Sequence, residues 1–274
     1  MLHYEFMRAA FAAAFLVSAV CGPVGWFLVL RGQGFASHAL AHVGFAGAAA
    51  ALLAGQPALL GFGAGSVVSG VAMGVAGGRV MGRDVMIGLV LSLAMGTGAL
   101  CLHFLTRSAS AATTLLFGDI LGISPSMVWT LLLLSLACLG ALACMARPLL
   151  FATLQPEVAE ARGVPLRLMD IMFLALVAVA TAECAQITGV LLVFTLMIAP
   201  AAAIVRLGVG PIGGMAAPAG LAVEVSRVAL VLCRYPGWPA VFWFAVFGCT
   251  GFGLADRKSG LLGMIGDFGV PLVI

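Results

Sequence analysis

The sequence predicts an all-α, polytopic integral membrane protein with about nine transmembrane helices. Three observations carry that reading. The 274 residues are 63% hydrophobic and only 8% charged, against about 25% charged in a soluble globular domain. Long apolar runs recur between short polar breaks, and a spanning helix needs roughly 20 such residues. The 36 glycines crowd those runs, which suits close helix approach in lipid, where packing rather than water exclusion drives association. No break is wide enough for a soluble domain. A net charge of +3 with scattered basic residues gives no footprint for nucleic acid.

Taken in order, the first span is 6–30. It ends at Arg31 and is longer than the apolar core of a secretory signal. The second, 35–54, holds His38 and His42, two of only four histidines. Spans 57–78 and 85–105 follow. Residues 109–124 are too short and interrupted to cross, and read as a short helix or re-entrant piece stopped at Gly118-Asp119. The remaining spans are 125–146, 168–186 with Glu183, 188–206, 215–233 with Glu224 and Arg227, and 239–255. Residues 256–274 form a C-terminal tail. His3 and His103 sit near span ends and read as interfacial.

Orientation follows the basic residues, which favour the inner side. With the N-terminus outside, Arg31, Arg79, Arg83, Arg147, Arg162, Arg167, Arg206, Arg257 and Lys258 fall inside, against Arg8, Arg107 and Arg234 outside. The seven cysteines form no CxxC pair and lie mostly in apolar runs, as small core residues do.

The inner loop, 151–166, carries its own helix signals. Pro156 suits a first helical position, where its missing N–H is not needed. Glu157 and Glu160 follow near the positive end, and Arg162 stands near the negative end. Gly163 takes the left-handed conformation that stops a helix, and Pro165 blocks continuation. The segment reads as a short surface helix, either a solvated connector or a docking element for a soluble partner.

Several stretches, in order, are similar to the permease subunits of the zinc/manganese/iron ABC importers. They are GWFLVLRGQGFASHALAHVGFAGA (25–48), GRDVMIGLVLSLAMGTG (82–98), LLFGDILGIS (115–124), LQPEVAEARGVP (154–165) and QITGVLLVFTLMIAPAAAI (186–204), with YPGWPAVFWF (235–244) resuming the pattern. Many members of that family have Asp where this chain has His38. The resemblance implies an ABC importer permease fold over residues 1–255, with 151–166 as the loop that docks the ATPase through Gln155, Pro156, Glu157, Glu160, Arg162 and Gly163. It also implies a homodimer in the bacterial inner membrane, served by a periplasmic or surface metal-binding protein, with transported Zn2+ or Mn2+ and no tightly bound cofactor.

The chemistry agrees with that expectation. The chain has no GxxxxGK[ST] motif, so it cannot bind ATP by a P-loop. His38 and His42, at i and i+4, project from one helical face, and neutral imidazole suits zinc better than it suits hard cations. The bland alternative is a pair of packed, hydrogen-bonded core histidines. Glu183 is a candidate path residue by its intramembrane position, or else snorkels to the outer interface. Asp119 either accepts an incoming cation or stops a short helix. Glu224 and Arg227 are spaced to neutralise each other. An ion-coupled secondary metal transporter is the main rival reading. An intramembrane hydrolase is disfavoured, because no HExxH occurs.

Overall fold

In a computed structural model the chain is a helical bundle, with no strand among the described residues, which are 5–76, 80–105, 108–118, 122–234, 242–251 and 253. The helices are α1 (Glu5–Leu30), α2 (Gly34–Leu53), α3 (Ala58–Ala76), α4 (Val80–Phe104), α5 (Ser108–Phe117), α6 (Pro125–Leu154), α7 (Pro156–Ala161), α8 (Leu166–Thr188), α9 (Val190–Arg206) and α10 (Pro211–Arg234). A shorter apolar helix, α11, covers Phe242–Gly251. Seven of these are long and apolar enough to cross a membrane, while α9 and α11, where two further spans are predicted, are shorter. The count of nine is therefore approximate. Asp119 and the 256–274 tail lie outside the described residues.

Helices α1, α2 and α8 form the buried centre, and α3, α4, α6 and α10 surround it with largely exposed apolar faces. Residues such as Leu89, Leu93, Trp129 and Leu133 point outward, as lipid-facing side chains do. Helix α2 packs on α3 and α4, α3 on α8, and α1 on α9 and α10. Close approach depends on missing side chains. A Cβ on Gly25 of α1 would come within 1.9 Å of the Met197 carbonyl oxygen of α9, so only glycine permits this crossing.

The largest boundary difference from the sequence expectation is at the end of the fifth span. The fifth span is predicted to end at 146, but α6 runs unbroken to Leu154 with Pro148 inside it. A proline removes one backbone hydrogen bond, which neighbouring groups in a membrane bundle can compensate. Residues 151–154 therefore belong to α6, and the surface helix springs directly from its end.

Candidate functional site

Three features stand out, and the first is the histidine pair. Gly32, with φ 63°, closes the turn out of α1, and α2 starts at Gly34. His38 and His42 therefore lie early in α2. Their ring centroids are 4.6 Å apart at 78°. His38 also meets the Phe194 ring of α9 edge-on at 5.9 Å. His42 is buried, and among the described residues its Nδ1 has no hydrogen-bond partner. A packed structural histidine in a dry core would pair that nitrogen. Among the described residues no group of three or more His, Cys, Asp or Glu side chains is placed to hold a metal. The pair is an incomplete ligand set.

The second feature centres on Glu183. It is fully buried, so it does not snorkel to an interface. The Ser135 hydroxyl of α6 donates to Oε1, and among the described residues Oε2 has no hydrogen-bond partner. Above the pair, at the end of the bundle opposite α7, is a cavity of about 250 Å3, lined in part by Thr114, Ser124, Met127, Leu131 and Gln186. Leu131 is one turn from Ser135 and Gln186 one turn from Glu183, so the bonded pair lies just beneath the cavity. Among the described residues no hydrogen bond or ion pair joins Glu183 to His38 or His42, and they form no group of three that could hold a metal. Nothing local in the sequence marks Ser135 as the partner of Glu183.

The third feature is α7. Pro156 occupies its first turn with Glu157, and Arg162 caps its end. Gly163 has φ 79°. Gln155, Pro156, Glu157, Glu160, Arg162 and Gly163 are all exposed. Ala159 is fully buried, and the Arg162 guanidinium stands 5.6 Å from the Phe151 ring centre. The helix is thereby pinned to the end of α6 while its outer surface stays open. Leu154 and Val158 add exposed apolar area there, a docking feature that the charged-residue pattern did not reveal. Elsewhere, Glu224 and Arg227 pair at 3.0 Å, as their spacing predicts.

Seven apolar helices of membrane-spanning length, with a buried His42 beside a half-buried His38 and a surface helix pinned at one end, define a multi-pass membrane protein. The chain belongs to the ABC 3 transport family, whose pattern it matches over residues 3–233. It is 28% identical over 207 residues to the manganese transport system membrane protein MntC of Halalkalibacterium halodurans, covering 74% of this chain and 70% of that protein. It is 33% identical over 211 residues to a probable metal transport system membrane protein of Treponema pallidum, covering 77% and 79%. The fold matches the solved structure of PsaBC from Streptococcus pneumoniae in complex with Fab, with a TM-score of 0.84 and 20% identity over 95% of this chain and 96% of that one.

Proposed function

We propose that this chain is the translocation subunit of an ATP-driven importer of a divalent transition metal. The observation that carries the reading is the His38–His42 pair, 4.6 Å apart on a central helix, with an unpaired imidazole nitrogen in a buried setting. Two imidazoles without a third protein ligand bind a cation weakly enough to release it, and a transport site must release its ion. The cargo leaves with other ligands, such as water.

Two imidazoles favour zinc over manganese, whereas the MntC relative bears a manganese name. Zn2+ and Mn2+ are thus the two cargoes proposed, with zinc favoured by the ligand chemistry. The partners are a separate ATPase docking on α7, a metal-binding protein delivering the ion at the opposite face, and a second copy of this chain. An ion-coupled secondary transporter would not need the exposed, pinned α7. Uptake of radioactive zinc and manganese in competition, in cells expressing the chain with its ATPase, tests the reading. Saturable, ATP-dependent uptake blocked first by zinc is the expected outcome. Uptake that persists without any ATPase would favour the secondary transporter.

A further inference from the structure

Arg31 and Asp170 join the two regions that an importer must connect, the α7 end of the bundle and the histidine-bearing helix. Arg31 lies between α1 and α2, next to the Gly32 turn. Its guanidinium donates to the Asp170 carboxylate of α8 and stands 5.3 Å from the centre of the Phe173 ring. The side chains are shielded, at 12% exposure for Arg31 and 24% for Asp170. Phe173 is fully buried and meets Phe27 of α1 at 6.3 Å. A planar guanidinium held by a carboxylate and an aromatic face has a fixed orientation, which an exposed surface pair lacks.

The position of the pair matters more than its strength. Only Arg162 to Pro165 separate α7 from α8, and Asp170 follows early in α8. On the other side, Gln33 precedes α2, and His38 lies just beyond the first turn. A displacement of α7 carried along α8 therefore reaches the base of α2 through this ion pair. A shielded charge pair has two discrete arrangements, made and broken, and coupling between sites is carried by contacts of that kind.

We propose that the Arg31–Asp170 pair is a positioning element that couples α7 to the His38–His42 pair, and so sets how much metal passes per ATP hydrolysed. This rests on the permease reading above. The test uses the full chain with its ATPase subunit in proteoliposomes, measuring zinc and manganese import, ATP hydrolysis and equilibrium metal binding. Three variants are compared: D170N, R31K, and the exchange of Arg31→Asp with Asp170→Arg.

In D170N the metal imported per ATP hydrolysed is expected to fall about tenfold, while the ATPase still co-purifies and equilibrium metal binding is kept. R31K, which retains charge but not the planar stack, falls between D170N and wild type. The exchange variant recovers most of the loss. An unchanged import-to-hydrolysis ratio in D170N overturns the proposal. So does loss of ATPase co-purification in D170N that the exchange does not repair, because the pair would then be only a structural clamp. Failure of the wild-type chain to capture an ATPase or move metal would sink the permease reading itself, and it shows before any variant is compared.

Discussion

Gly118 and Gly189, seventy-one positions apart in sequence, lie against each other with left-handed backbones, φ 74° and φ 72°. Gly118 ends α5, and Gly189 separates α8 from α9. A Cβ on Gly118 would approach the Ile187 carbonyl oxygen to 2.4 Å, and one on Gly189 would approach the Leu116 carbonyl oxygen to 2.3 Å. The contact joins two of the stretches that resemble the ABC importer permeases, and it closes the same end of the bundle that holds the cavity.

Gly189→Ala should therefore destabilise the protein strongly. Its φ of 72° with ψ of 164° falls in a region essentially reserved for glycine, worth about 1–3 kcal/mol of strain, and the steric overlap adds to it. Gly163→Ala is the control. It has positive φ but nothing within 4 Å of the added carbon, so about 1–2 kcal/mol is expected. Thermal unfolding in detergent compares the two, and equal shifts would mean that the Gly118–Gly189 contact contributes little.

The histidine pair makes a separable prediction. His38→Ala with His42→Ala should abolish metal uptake and leave the folded protein intact. Alanine is the best helix former, and the change removes a buried nitrogen that has no partner among the described residues. Uptake in cells and melting in detergent are the two measurements. Normal uptake by the double variant would remove these residues from the path.

Glu183 and Ser135 separate folding from transport in another way. Ser135→Ala takes away the one hydrogen bond that the described residues give a fully buried carboxyl group and should destabilise the protein by about 1–3 kcal/mol. Glu183→Gln keeps an oxygen for the Ser135 hydroxyl, so its melting should stay near wild type while metal uptake falls. Full uptake by the Gln variant would make Glu183 a purely structural residue.

How legible all this was depends on the range of each interaction. The membrane helices follow from composition alone. The ends of α7 follow from local signals, Pro156 at its start and Gly163 just past its end. The predicted fifth span stops at the polar break of Arg147, whereas α6 continues through Pro148 to Leu154, and whether a helix passes such a break depends on neighbours that a linear reading cannot supply. The Ser135–Glu183 and Arg31–Asp170 contacts join distant segments. A serine in an apolar run, or an arginine at a span end, has an ordinary local explanation, and only the packing shows its partner.

The Glu224–Arg227 pair should behave unlike a surface ion pair in water. Both side chains are 62% exposed, yet they lie within an apolar helix long enough to span the membrane. Glu224→Leu alone leaves Arg227 uncompensated, and an arginine at a helix centre in lipid costs about 2.5–3.5 kcal/mol. The double replacement by Leu removes both charges and should restore the yield of inserted, folded protein. Yield and melting would be measured for the single and double variants, and equal behaviour would show that water reaches this face.

Docking at α7 is tested by changing its surface and its shape separately. Glu160 is exposed on a helix held to α6 by buried Ala159 and by Arg162 against Phe151, so Glu160→Arg reverses a charge without disturbing that attachment. Gly163→Pro acts on shape, because proline fixes φ near −65° where the backbone has φ 79°, and this should displace the helix end. Both variants should lose co-purification with the ATPase subunit, with Glu160→Arg still melting like wild type. If both retain the ATPase, the segment is only a tether between α6 and α8. If Gly163→Pro alone loses it, docking depends on the placement of α7 rather than on the charge at Glu160, and the exposed apolar pair Leu154 and Val158 becomes the surface to change next.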